Sequence, residues 1–276
     1  MAYLEEARGP SAAEPVTDKQ GNHKFPQFAL EQWLPLLMCT AIIIGWEFCV
    51  AQRWLSALFF PAPSTIAQTF IAQILRGTLP AACLATLLRM GSGLLLGGGS
   101  GLVLGLLLGW SSLLRRLFDP WVAALHAVPK ISILPLFMII FGIGETSKLM
   151  VIAFSTFFPM LINTMAGVQQ IASVYWEVAH NYGASRTKLF RRVIIPASLP
   201  FILTGLRLAL NTALLLTVAV ELVSAKDGLG AMIWLAWQTL RVAELYVALF
   251  VIALLGLGFL QLGQKIEQWL LPWQNQ

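Results

Sequence analysis

Residues able to do chemistry are scarce in this chain, and two places concentrate them. The stretch EVAHNYGASRTKLFRRVIIP, Glu177 to Pro196, gathers acid, amide, hydroxyl and basic side chains within a sequence that is otherwise mostly apolar. It holds no nucleophile and base at a spacing suited to catalysis, so the chemistry open to it is recognition. Glu177, near a first helical turn, can accept from free backbone N–H groups or pair with a basic residue of a partner. The second place is HAVPKISILPLF, His126 to Phe137, where Lys130 follows Pro129 near the middle of an apolar run and Pro135 comes five residues later. Proline removes backbone donors and leaves carbonyls free. A broken helix carrying a cation at mid-depth is suited to drawing an anion along a path. Lys130 has a second reading, as a cation paired with a carboxylate or carbonyl for structural reasons. His126, one turn earlier on the same face, reads as a satisfied interior histidine or as a proton relay.

Four more ionisable residues fall inside apolar runs, where each is costly enough to suggest function: Glu47, Arg89, Arg207 and Glu221. Glu47 and Glu221 stand near outer ends and Arg207 near an inner end, where snorkelling accounts for them. The candidate set for a translocation path is His126, Lys130, Arg207 and Glu221. A metal site is not indicated, because Cys39, Cys49 and Cys83 make no CxxC and do not cluster with histidines. GGGSG at 97–101 and GIGETSK at 142–148 lack Gly-Lys-Ser/Thr at the P-loop spacing and a preceding strand, so the chain carries no ATPase of its own. GIGETSK reads instead as a short outer turn whose glycines supply positive φ.

The elements that must position these residues are membrane helices. Of 276 residues, 58% are hydrophobic and 11% charged, and the mean hydropathy is +0.75, far from the quarter or so of charged residues in an ordinary globular domain. Apolar runs at Leu34–Val50, Leu94–Trp110, Trp121–Phe141, Leu149–Val168, Phe201–Val220 and Val242–Leu262 are each about long enough to cross ~30 Å of hydrocarbon. The expected fold is an all-α integral membrane protein of about six transmembrane helices. Gly93, Gly97, Gly101, Gly105 and Gly109 recur every fourth residue and line one helix face, allowing close helix packing within the subunit or, more sharply, a dimer seam. Lys and Arg placement sets the orientation. Arg115, Arg116, Arg186, Lys188, Arg191 and Arg192 fall on the side shared with both ends, so both termini are expected in the cytoplasm. The charge of +5 therefore marks orientation and not nucleic-acid binding.

This layout places a disordered cytoplasmic tail at 1–33 and a first transmembrane helix with an outer amphipathic connection at 34–80. A core follows at 81–268, containing a cytoplasmic loop at 169–198, and a cytoplasmic tail at 269–276. Within the loop an apolar stripe of Val178, Tyr182, Leu189, Phe190 and Val193 reads as two short amphipathic pieces. Gly183 divides them and Pro196 starts the next element. Composition alone makes this a surface hairpin holding two spans in register.

Glu177, Val178, Ala179, three residues, Gly183, nine residues, then Val193, Ile194, Ile195 and Pro196 resembles the Glu-Ala-Ala loop of ABC-importer permeases, with the spacing kept throughout. From about Phe60 to Trp273 the chain is similar to the nitrate/sulfonate/taurine/bicarbonate-type permeases. FFPAPSTI, ATLLRMGSGLLLGGGSGLVLGLLLG, DPWVAALHAVPKISILPLFMIIFGIGETSK, FFPMLINTMAGVQQI, LPFILTGLRLAL and VELVSAKDGLGAMI carry the resemblance. His126 stands where that family often has Arg, and Lys130 where it has Pro or Lys.

The resemblance implies a type I ABC importer permease in a bacterial inner membrane. It implies a homodimer served by two cytoplasmic ABC ATPases, which bind ATP and Mg, and by a periplasmic or lipid-anchored solute-binding protein. No cofactor is expected in this chain. Glu177, Val178, Ala179, Gly183, Ala184, Ser185, Arg186 and Pro196 would then form the segment that couples to the ATPase. The implied solute is a small organic anion, sulfonate- or taurine-like first, with thiamine-pyrimidine or riboflavin precursors, nitrate and bicarbonate as alternatives. A secondary transporter would need an intramembrane carboxylate relay and an internal repeat, neither of which is evident. An intramembrane enzyme would need a nucleophile and base paired at depth.

Overall fold

The computed structural model describes residues 27–272 apart from Ala225. The expected tail lies outside the described residues through Pro26, as do the last four residues of the C-terminal tail. Every regular element among the described residues is helical: α1 (Gln27–Ala51), α2 (Pro63–Leu75), α3 (Thr78–Trp110), α4 (Ser112–Ala127), a 3-10 turn (Lys130–Ile133), α5 (Leu134–Phe141), α6 (Glu145–Gln169), α7 (Ser173–Asn181), α8 (Arg186–Leu189), a π turn (Phe190–Ile194), α9 (Ile195–Ser224), α10 (Leu229–Gln238) and α11 (Val242–Leu270). Five helical segments are long and apolar enough to cross a membrane, or six if the bent pair α4 and 130–141 counts as one span. The chain is a multi-pass membrane protein.

The structure corrects the sequence in several places. Helix α1 begins at Gln27, but the part of it apolar enough to span, Trp33–Ala51, agrees with the expected run at Leu34–Val50. The expected third span, Trp121–Phe141, is two helical pieces bent by 93°. Val128 and Pro129 are extended there, and the Pro129 ring and missing N–H prevent α4 from running on. In GIGETSK only Gly142 has positive φ, at 84°. Gly144 is extended and Glu145 already opens α6. Pro196 does not start an element: it is the second residue of α9, within a helical run from Arg186 to Ser224. The π turn just before it, closed by the Ile195 N–H donating to the Phe190 carbonyl, is the local widening that admits the proline ring.

Among the described residues, those up to Trp46 form one unit of the chain and those from Glu47 another. In the first, the Thr40 hydroxyl donates to the Leu36 carbonyl at 2.8 Å, which satisfies it within its own helix. In the second, α3, α6 and α9 make the central layer, with α3 against α6 the most extensive pair. The glycine row of α3 faces α6. A Cβ at Gly97 would run into the Ala153 carbonyl and the Thr156 hydroxyl, one at Gly105 would stand 2.7 Å from the Leu161 carbonyl oxygen, and one at Gly109 2.6 Å from Val168 Cβ. The glycines let two backbones meet where no hydrophobic drive separates protein from lipid.

Candidate functional sites

The polar loop folds as a helical hairpin. Val178, carrying Glu177 and Ala179 beside it on α7, accepts at its carbonyl from the Tyr182 N–H at 3.0 Å, and the Ala179 carbonyl accepts from the Ala184 N–H at 2.9 Å. Gly183 makes the reversal at φ 63°, a left-handed angle natural to glycine. Ser185 then caps α8, its hydroxyl accepting from the Lys188 N–H, with Arg186 the first helical residue. Trp176, Glu177, Ala179, Asn181, Ala184 and Leu189 line a hollow of about 630 Å³. Val178 and Tyr182 of the expected apolar stripe are exposed, whereas Phe190 stacks on Trp110 at 5.4 Å between ring centres. That stack ties the π turn to the end of α3.

Of the four path candidates, the fold brings two together. At the break after α4 the Lys130 ammonium donates to the His126 carbonyl and lies 5.7 Å from the centre of the Phe158 ring. The His126 ring is 5.5 Å from the same phenyl group. Phe158 is buried at the middle of α6, so the cation stands at mid-span. No acidic side chain among the described residues pairs with Lys130. Arg207 and Glu221 sit elsewhere, each in an ion pair. Arg207 of α9 pairs with Glu267 of α11.

Glu221 does not snorkel. Its side chain is fully buried, and one carboxylate oxygen accepts from Arg89 Nη1 at 2.7 Å. The other accepts from the Thr86 hydroxyl at 2.9 Å and the Gly230 N–H at 3.0 Å. Arg89 also donates to Glu145 through Nε at 2.5 Å and Nη2 at 3.1 Å, to the Asp227 carbonyl at 2.9 Å, and to the Asp227 carboxylate. Lys148 pairs with Glu145 at 2.6 Å. One guanidinium thus joins α3, the start of α6, the end of α9 and the turn into α10. The arginine side chain is 9% exposed and the Glu145 and Asp227 carboxylates 62% and 65%. Glu221 also caps α10 from a distance, since Gly230 is in its first turn. Gly228, at φ 105°, leaves room for that carboxylate, where a Cβ would collide with it. Sequence reading marked Arg89 as costly but gave it no partners. The available signal was the count of buried charges: an intramembrane arginine requires carboxylates, and Glu145 had been absorbed into a turn while Asp227 was noted only within the stretch VELVSAKDGLGAMI.

Glu47 resolves in the same way. Its carboxylate accepts from the Ser64 N–H at 3.0 Å and the Ser64 hydroxyl at 2.7 Å, capping the Pro-initiated helix α2.

Residues 101–272 match the family described as binding-protein-dependent transport system inner membrane component. The chain belongs to that family. A Bacillus subtilis (strain 168) protein named for aliphatic sulfonates transport, SsuC, is 34% identical over 95% of each chain. The taurine transport system permease protein TauC of Escherichia coli (strain K12) is 32% identical over 87% of this chain and 88% of its own. A chain from the inward-facing MetNI methionine ABC transporter has the same fold, with a TM-score of 0.62, 18% identity and coverage of 71% of this chain and 97% of that one. The chain is therefore the membrane-spanning permease component of an ABC importer, a transport subunit and not an enzyme. It works with ATPase and solute-binding partners, as its family does. The long polar helical hairpin, the glycine-packed central layer and the broken span all lie within or overlap the matched region of the permease.

Proposed function

We propose that the permease acts as a homodimer in a bacterial inner membrane, with both termini in the cytoplasm. On that side two ABC ATPases, which bind ATP and Mg, seat on the α7–α8 hairpin through Glu177, Val178, Ala179, Gly183, Ala184, Ser185 and Arg186, and the run through Pro196 carries their motion into α9. A periplasmic or lipid-anchored binding protein delivers the solute to the opposite face. The solute is a small organic anion, an aliphatic sulfonate or taurine-like compound, drawn past Lys130 and His126. The observation that carries the reading is the Lys130 ammonium at mid-span, held by a backbone carbonyl and an aromatic ring with no carboxylate beside it. A cation left without a counter-ion at that depth suits a passing anion. The names of the relatives favour sulfonates over nitrate, bicarbonate or pyrimidine precursors.

Arg207 and Glu221, each committed to an ion pair, support the path by holding its walls. The test is uptake into liposomes containing the permease with its ATPase and binding protein. ATP-driven uptake of labelled taurine, resistant to excess nitrate and bicarbonate, is expected. Uptake that runs on an ion gradient without ATP would overturn the reading in favour of a secondary transporter.

A further inference from the structure

Helix α4 has features that the Lys130 reading leaves unused. At 100° per residue, Ser112, Arg115, Arg116, Asp119, Ala123 and His126 fall within an arc of about 100°, and every other position of the helix is apolar, alanine or proline. None of its residues is buried by the chain. None of the ion pairs among the described residues involves Arg115, Arg116 or Asp119.

The helix starts one extended residue, Ser111, after Trp110 at the end of the α3 span, and ends where the His126 ring meets Phe158 in the middle of α6. It therefore descends from one membrane face to mid-depth. A charged arc on an otherwise apolar helix also suits a membrane surface, but the contact of His126 with Phe158 holds the end of this helix against the middle of α6. A narrow charged arc at membrane depth belongs against water.

We propose that this arc is the wall of an anion lane connecting Lys130 to the membrane face at Arg115 and Arg116. The inference rests on the importer reading for the direction and energy of transport, and its ligand class is a small monovalent or divalent anion such as a sulfonate. Arg115 and Arg116 stand at the mouth and Lys130 at the far end. Ala123 lies between them, seven residues and about 10 Å along the α4 axis from Arg116 and one turn before the end of α4, where the break leads into Lys130. The small side chain leaves width where the field from both ends overlaps. Asp119, one turn from Arg115, is the single acid on the arc. It keeps the mouth from holding an anion too tightly, because conduction needs sites weak enough to leave.

The experiment uses the permease–ATPase complex in liposomes, with Cys39, Cys49 and Cys83 changed to serine and Ala123→Cys introduced. Two thiol reagents of similar size serve as probes, the anionic sulfonatoethyl and the cationic trimethylammonioethyl methanethiosulfonates. Relative to a free thiol, the anionic reagent is expected to gain about tenfold over the cationic one, because low-dielectric walls focus the field of the cations. That advantage should shrink as salt is raised and under Arg115→Gln/Arg116→Gln, and persist under Arg115→Lys/Arg116→Lys. Salt dependence is read without touching the arginines, so a misfolded double variant does not decide the matter. Trapping the ATPase with ATP and vanadate should slow the reaction at Ala123→Cys severalfold, which a surface-lying helix would not show. Equal rates for the two reagents, or rates indifferent to trapping, overturn the lane. ATP-driven uptake in the same liposomes reports separately on the importer reading.

Discussion

Arg89 and Glu221 are 132 positions apart in the chain and 2.7 Å apart in the fold, with the glutamate side chain fully buried and the arginine nearly so. Their attraction offsets a large desolvation cost, which is why removing one partner is worse than removing both. Glu221→Ala leaves the Arg89 guanidinium short of its buried counter-ion and removes the cap from α10. Arg89 keeps Glu145 and Asp227, whereas the Thr86 hydroxyl and the Gly230 N–H lose their acceptor. Stability is therefore expected to fall by about 1–3 kcal/mol, read as an earlier thermal unfolding midpoint in detergent. The double variant Arg89→Met/Glu221→Leu should recover much of that loss. Unchanged melting of Glu221→Ala would make the pair a bystander.

Two glycines of one helix should respond in opposite ways to the same substitution. Gly97 faces the Ala153 carbonyl with no room for a methyl group, whereas nothing lies within 4 Å of a Cβ at Gly91. Gly97→Ala should force α3 away from α6 and cost about 1–3 kcal/mol. Gly91→Ala, which only improves helix propensity, should gain about 0.5–1 kcal/mol. Thermal unfolding of the two variants side by side decides it, and equal shifts would mean that α3 and α6 are not held by close backbone approach.

The glycine row was legible because small residues at a fixed spacing of four have one physical use on a membrane helix. The apolar runs were legible for the same reason: bilayer thickness prescribes their length. The bend after Ala127 was half legible, since Pro129 announced a break but carried no record of its 93° angle. The Arg89 cluster was hidden. Its members come from four separated segments, and period and composition carry no record of which distant charges meet. Pro196 misled for a related reason, because a proline reads as a boundary unless the preceding turn widens to take it.

Lys130 offers a sharper functional test than the other charged residues of the span region. It has no carboxylate partner among the described residues, so Lys130→Met removes a charge without stranding another. Folding and ATP hydrolysis should stay near those of the natural chain, while uptake of an anionic solute falls at least tenfold, about 1.4 kcal/mol in the barrier it crosses. Lys130→Arg should retain much of the uptake. Undiminished uptake by Lys130→Met would leave it as a residue that merely ties off the His126 carbonyl.

Gly183 and Glu177 separate folding from docking. A side chain at Gly183 meets nothing within 4 Å, so the penalty for Gly183→Val is the left-handed backbone angle alone, about 1–2 kcal/mol for a residue with a Cβ. The hairpin bears that cost locally by re-aiming α8 relative to α7, and the membrane layer, packed through α3, α6 and α9, should remain intact. Gly183→Asn, which tolerates the angle, should behave nearly as the natural chain. Glu177 lines the hollow beside Trp176, and in the docking proposed above its carboxylate meets a basic residue of the ATPase. Glu177→Lys reverses that charge, and like charges across an interface are strongly unfavourable. Both Gly183→Val and Glu177→Lys should therefore yield a permease that inserts and melts normally yet retains its ATPase at least tenfold less well, a loss of about 1.4 kcal/mol in docking. Solute-stimulated ATP hydrolysis in liposomes should fall in parallel, while the binding protein still binds its solute. Co-purification and hydrolysis at natural levels in both variants would return the segment to a surface hairpin that only holds two spans in register.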